Sequence, residues 1–454
     1  MIRSLARRHA PGLAATVSAL AAAVSLSADT PPSVKFTDTT LKNGLRLVVA
    51  EDHNAPTFSI AVVYNVGSRN ERPGRTGFAH LFEHMMFRGS ENVGVGEHFY
   101  TVFSNGGTMN GTTDKERTLY YETMPANQLE AAIFLEADRM RALAITKESL
   151  DNQRNAVQEE RRSAIDNQPY GKSFEAVDEL GLDNPAYKHS VIGSMQDLSA
   201  ASVDDVATFF KTYYAPNNAI VAIVGDVTSA RVLGLARKYF EAIPKQPAPP
   251  AVDITQPPQT AERRLAIEDA LARVPRLDIS YRIPSNLSPD DDTIDVLGLV
   301  LGSGRSSRFY ETIVRQKQLA SNVAAFAPDS RGPRLFRISA TPLPGKSVED
   351  VEAAIYAEIE RVKAGPIADW EIEKARNTAR RQFVGGLQSS LNRAIDLAEY
   401  ALVYNNPGEI NTRYLRLDKL NAADVQRVAK QYLTPDVRSV IITNPKPAAG
   451  RGGL

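Results

Sequence analysis

Two of the six histidines in this 454-residue chain stand four residues apart, in the run His80-Leu81-Phe82-Glu83-His84. On a helix, positions i, i+3 and i+4 fall on one face, so His80, Glu83 and His84 point the same way. Two imidazoles one turn apart can hold a single metal ion. A carboxylate beside them can then take a proton from water that the ion activates. The order His-x-x-Glu-His is the inverted form of the commoner metallopeptidase motif. The plainer reading is two surface histidines with a glutamate nearby, but in a chain with so few histidines that spacing rarely arises by chance.

The chain has no cysteine, so any metal must be held by histidines and carboxylates. A catalytic zinc usually takes three protein ligands and keeps one position open. The run from Gln153 to Arg162 offers Glu159 and Glu160 as the third, and helical phase separates them. Glu160 shares a stripe with Leu150, Gln153, Val157 and Ala164, a spacing that predicts an inward face. Glu159 falls instead with Asn152, Asn155 and Arg162 on a solvated side. A carboxylate on an apolar stripe is costly unless it is paired or bound to metal, which selects Glu160. The expected centre is one Zn2+ per chain on His80, His84 and Glu160, with Glu83 as the base. A closed structural zinc site fits poorly, because such sites usually have four ligands and commonly cysteines.

Elements must position these residues. Residues 45–49 and 58–64 read as β-strands, and a loop over 67–77 leads into a helical pattern from 78 to 87. Further helices are predicted at about 127–142, 147–165 and 203–214, and a further strand at 219–224. Residues 244–264 are rich in proline and poor in large apolar side chains, which predicts a semi-rigid linker between domains at 34–243 and 265–446. The two parts look related. Asp205, Tyr213 and Pro216 precede the 219–224 strand, and Asp424, Tyr432 and Pro435 precede an apolar run at 437–442 with identical separations. The alternative is a chance likeness of two amphipathic helices.

Composition narrows the class. Apolar residues make up 43% of the chain and charged residues 23%, enough for two or three domains with their own cores. Lys plus Arg and Asp plus Glu balance at 53 each, which argues against a nucleic-acid partner. Residues 1–28 carry Arg3, Arg7 and Arg8, then an apolar run from about 11 to 26, with no acid before Asp29. This reads as a secretory signal peptide and places the protein in the periplasm. The alternative is a transit peptide for the mitochondrial matrix, but the basic and apolar parts are segregated, which favours export. No later run is long and apolar enough to span a bilayer, so no membrane span is expected in the mature chain.

The runs Val66-Gly67-Ser68-Arg69-Asn70-Glu71 and Thr76-Gly77-Phe78-Ala79-His80-Leu81-Phe82-Glu83-His84-Met85-Met86-Phe87 resemble the pitrilysin/insulinase family of zinc peptidases. The likeness is greatest to the branch containing mitochondrial processing peptidase and its bacterial relatives. That family carries its glutamate ligand about 76 residues after the second histidine, which falls on Glu160.

The resemblance implies an α+β chain of two homologous α/β roll domains in tandem, each an antiparallel-rich sheet backed by helices. It implies a zinc-dependent endopeptidase or oligopeptidase for short or unfolded peptides, working as a homodimer or as a heterodimer with a related subunit around a closed chamber. It also implies that the strand edge at residues 106–112 hydrogen-bonds the substrate through Asn110 and Gly111, although a Gly-rich turn entering a buried strand would read alike. Phe87 would line a pocket beside the scissile bond, or be core.

Three departures matter. The second half has no histidine, His189 being the last. The family's second acidic residue, seven before the glutamate ligand, is Gln153 here. Active members also use an Arg followed seven residues later by a Tyr, from the second half or from a partner, to contact the substrate carbonyl. Arg315 is kept, but Ser321 and Asn322 stand where the Tyr should fall. These losses support a second reading: a catalytically weak or inert peptide-binding or assembly subunit whose partner carries the Arg/Tyr pair.

Overall fold

The computed structural model describes residues 33–446. The segment read as a signal peptide, 1–28, lies outside the described residues. Among the described residues, eleven strands form two sheets. The first contains β1 (Thr37–Thr40), β2 (Arg46–Glu51), β3 (Thr57–Tyr64), β4 (Thr108–Thr113), β5 (Thr118–Pro125) and β6 (Ala219–Gly225), in the order β1-β2-β6-β3-β5-β4. The second contains β7 (Arg263–Asp269), β8 (Arg276–Ile283), β9 (Ala320–Phe326), β10 (Arg334–Pro342) and β11 (Arg438–Pro445), in the order β7-β11-β8-β10-β9.

The two sheets repeat one topology. β2 pairs parallel with β6, as β7 does with β11. The pairs β6-β3, β3-β5 and β5-β4 are antiparallel, and so are β11-β8, β8-β10 and β10-β9. In each half a helix (Val203–Tyr213 or Ala422–Tyr432), then a single 3-10 turn, leads into the strand of the parallel pair that comes last in the chain, β6 or β11. The likeness between 205–216 and 424–435 is therefore the visible part of a repeat that spans both domains.

Strands β2, β3 and β6, in the middle of the first sheet, are apolar at most positions, and β6 is buried at all seven. Continuous burial of this kind needs cover on both faces. One face, with Leu47, Val49, Ile60, Val62, Val221 and Ile223, packs on helices of its own half. The alternating residues, among them Val48, Ala61, Val63, Ala222 and Val224, pack on Ala394, Leu397, Ala398 and Ala401. Those four are spaced as one helical stripe on Ser390–Val403, a helix from the second half. The exchange is reciprocal. Helix α5 (Gly171–Gly181), numbered in order with α1 (Phe78–Met85), α2 (Glu97–Ser104), α3 (Leu129–Arg141) and α4 (Lys147–Arg161), sets Ala176 and Val177 against Leu335 and Ile441 of the second sheet.

Residues 244–260 hold neither helix nor strand. The segment is not a free tether: Asn184 Nδ2 donates to Asp253 O at 2.9 Å and to Thr255 O at 2.8 Å. β7 begins at Arg263, two residues inside the stretch expected as linker, because its backbone pairs in parallel with β11 from Ser439 onward.

Candidate metal centre

Helix α1 lies over β4 and β5, with α4 against its side. Its start is fixed by two devices. Gly77 takes a left-handed φ of 87°, and a Cβ there would come within 2.6 Å of Ile192 O. The free N–H groups of the first turn are met by Glu71, which accepts from Gly77 N at 2.9 Å and from Ala79 N at 2.8 Å. His189 Nε2 lies 3.0 Å from the same buried carboxylate. Phe78, Leu81, Phe82 and Met85 bury the core side of α1, which turns His80 and His84 outward toward α4.

There the side chains of His80, His84 and Glu160 meet. His80 Nε2 is 3.7 Å from Glu160 Oε1, and His84 Nε2 is 3.3 Å from Glu160 Oε2. One ligand atom from each of the three lies within 4.8 Å of the others. Burial, then the neighbouring His84, pushes His80 down to about 4, so its ring is neutral at ordinary pH, the form that ligates metal. The His84 hydrogen bond holds the Glu160 carboxyl below its usual range. Two imidazoles and one carboxylate form the donor set of many catalytic zinc sites, and the residues present fit that ion.

The route by which Glu160 gets there differs from the expected one. The stripe on α4 is buried at Leu150, Gln153 and Val157, but Ala164 is exposed and the Glu160 side chain is 44% exposed. Past Val157 the inward face of the helix, which packs on α1, is no longer covered, and Glu160 meets the histidines there. The turn at Arg162–Asp166 then widens to a π-helix. Glu159 is solvated, as its phase predicted, and pairs with Arg162 at 2.9 Å.

Glu83 is buried beside the histidines, and burial raises its pKa. β4 holds it. Thr113 Oγ1 donates to Glu83 Oε2 at 2.6 Å, and a Cβ on Gly111 would lie 3.0 Å from Glu83 Cγ. Gly111 is thus needed for close packing on the carboxylate. Thr113 escaped the sequence reading, although a period of two along the strand puts it on Gly111's face. A hydrogen bond to a charged group is worth about 1.5–3 kcal/mol. Thr113→Val, which keeps the shape and removes the donor, is expected to lower kcat about tenfold with zinc content unchanged, read by peptide hydrolysis and metal analysis.

β4 is the edge of its sheet, with Thr108, Asn110 and Thr112 exposed in alternation. The alternative of a buried strand at 106–112 is not what forms. Asn110 turns its Oδ1 onto Gly111 N at 2.9 Å. Phe87, just past α1, packs 5.1 Å from the Phe99 ring and 5.6 Å from Tyr120, partly buried. Arg315 lies elsewhere, in the π-helical turn Tyr310–Gln316 of the second half. It pairs with Glu311 and lines a cavity of about 830 Å³ with Arg308, Glu358 and Trp370 that includes none of the metal-side residues. Ser321 and Asn322 are exposed on the edge strand β9.

A second group, His98, Glu122 and Glu136, also brings its donor atoms within 4.8 Å, fully buried beneath Phe87. Arg139 donates to Glu136 at 2.9 Å and stacks 4.4 Å above Tyr120, so its positive charge already fills this space. Burial raises Glu122 and Glu136 to about 7, while burial and Arg139 lower His98 to about 3. The group is a polar core with an internal cation, unsuited to a second metal.

The family described as Insulinase (Peptidase family M16) matches residues 46–194, and the Peptidase M16 inactive domain matches residues 200–379. The chain is 30% identical to zinc protease PqqE of Helicobacter pylori over 90% of its own length and 93% of that protein's. It is 22% identical to a probable mitochondrial-processing peptidase subunit beta of Arabidopsis thaliana, over 87% of this chain and 76% of that one. The crystal structure of a protease from Helicobacter pylori superposes with a TM-score of 0.87 at 29% identity, covering 91% of this chain and all of the other. The first half of the periplasmic protease PqqL from Escherichia coli superposes with a TM-score of 0.74 at 19% identity, covering 94% of this chain and 95% of the other. Two matched family domains over most of the chain, in one tandem fold, make this chain a member of the insulinase family of peptidases, M16.

Proposed function

We propose that this chain is a zinc-dependent endopeptidase or oligopeptidase acting on short or unfolded peptides. The observation that carries the reading is the convergence of His80, His84 and Glu160 on one point, with Glu83 held beside it by the edge strand β4. His80, His84 and Glu160 would hold the ion. Zinc, when bound there, supplies the Lewis acidity that makes water nucleophilic near neutral pH. An extended peptide adds to the free edge of β4, whose backbone fixes the scissile carbonyl over Glu83. Glu83 takes the proton of the attacking water, and its raised pKa suits it to give that proton to the leaving amine. The basic-then-apolar N-terminal run supports export to the periplasm.

The test is hydrolysis of a quenched, unstructured peptide library by the mature chain. Cleavage is expected to stop on chelation and to return with one equivalent of Zn2+. Zinc binding without cleavage would overturn this reading in favour of the second, a peptide-binding subunit that needs a partner. Arg315's place away from the histidines and the missing Tyr favour that alternative, as does a relative named as a subunit of a processing peptidase.

A further inference from the structure

Helix α2 carries an aromatic face that the chemistry above leaves unused. His98 and Val102 point inward to the core. Phe99, Tyr100 and Phe103 turn away from it, with Tyr100 73% and Phe103 53% exposed. The three are contiguous, because positions three and four apart are neighbours on a helix. The Phe99 and Phe103 rings stack with centroids 5.9 Å apart, and Phe99 lies 5.1 Å from Phe87. An aromatic ladder thus runs outward from Phe87, three residues past His84. Large apolar side chains gathered on one exposed patch mark a binding surface more often than chance.

The position of α2 says what binds there. The helix packs over β4 and leads into it through Asn105, Gly106 and Gly107. Gly107 packs so closely under α2 that a Cβ on it would lie 2.9 Å from Val102 Cγ1. Gly107, Met109 and Gly111 lie on one side of the strand, with Glu83 over Gly111 and α2 over Gly107. At about 3.3 Å per residue, the stretch from Gly111 to Gly107 spans about 13 Å. A peptide paired along this edge, with its reacting residue at Glu83, turns every second side chain to the same side. The one two to four residues away arrives at the aromatic ladder.

We propose that Phe99, Tyr100 and Phe103 form a subsite for a large apolar side chain, aromatic or aliphatic, two to four residues from the scissile bond on the Gly107 side. This rests on the peptidase reading for the placement of the peptide, and not for the binding itself.

The test uses the zinc-loaded Glu83→Gln protein and two fluorescently labelled, Ser/Thr/Gln-rich peptides of about twelve residues. They are identical except that one carries two spaced Phe residues where the other carries Ser. The Phe peptide is expected to bind about tenfold more tightly by anisotropy, as burial of one aromatic side chain allows. Adding Tyr100→Ser and Phe103→Ser should bring the ratio close to one, and Phe103→Leu alone should keep it. Equal binding of the two peptides, or a ratio that survives the double substitution, overturns the subsite. So does an unchanged ratio with conversion of a dimer to a monomer by sedimentation, which would make the patch a contact between copies. If the ratio behaves as expected and the wild-type protein cleaves neither peptide, the subsite stands and the peptidase reading falls.

Discussion

Glu83→Gln is expected to cut turnover by about three orders of magnitude while the protein keeps its zinc. General base catalysis is worth about 10²–10⁴-fold in rate, and this substitution removes the base with minimal change of shape. The surroundings of Glu83 make the variant a clean one. The amide oxygen can still accept the Thr113 hydroxyl, which now meets Oε2 at 2.6 Å. Gly111 leaves the same room against Cγ. His80, His84 and Glu160 contact one another without help from Glu83, so the donor set is untouched. Peptide hydrolysis and zinc per chain, measured on one preparation, separate the outcomes. Turnover at the wild-type rate would show that the base is another group. Loss of zinc together with turnover would show that Glu83 shapes the metal centre instead.

The readable and unreadable parts of this site divide by sequence distance. His80, Glu83 and His84 could be placed on one face because a single helical turn relates them, and no tertiary knowledge is needed for that. Glu160 was selected by phase on its own helix, and the phase argument holds through Val157. It fails beyond, because nothing local says where α4 loses its tertiary cover, and the glutamate comes out half-exposed beside the histidines. Glu71 meets Ala79 N across 8 residues and His189 meets Glu71 across 118, distances over which no periodicity applies. Thr113 was nearer to reach, since the strand period ties it to Gly111, but its partner lies 30 residues back. The same limit governs the fold. The stripe Ala394, Leu397, Ala398 and Ala401 signals a buried helix face. The all-apolar β6 signals a strand covered twice. Neither says that one covers the other across the two halves.

Glu116→Ala is expected to destabilise the protein by about 3–5 kcal/mol, the range for breaking a buried ion pair from one side. Glu116 sits in the tight turn between β4 and β5, with its side chain 10% exposed. From its own half it accepts the Tyr187 hydroxyl at 2.9 Å and pairs with Arg69 at 2.8 Å. From the second half it accepts Ser330 Oγ at 3.0 Å, Arg331 N at 3.1 Å and Arg331 Nε at 2.9 Å. Without the carboxylate, two buried guanidinium groups face each other at the junction of the halves with no anion between them. Burial alone would raise the Glu116 pKa, but Arg69 and Arg331 outweigh it and hold the group below its usual range. A folded pKa below the unfolded one contributes stability that is full at neutral pH and is lost as pH falls through the folded value. The variant's urea midpoint should therefore drop most near neutrality, and the gap to wild type should narrow in acid. Glu116→Gln should cost less, because its amide oxygen still accepts from Tyr187 and Ser330. A loss below about 1 kcal/mol for the alanine variant at pH 7 would show that solvent replaces the carboxylate and that this turn is no clamp. The same turn joins β5 to the strand carrying Gly111 and Thr113, so loosening it is also expected to loosen the hold on Glu83, and peptide turnover should fall alongside stability.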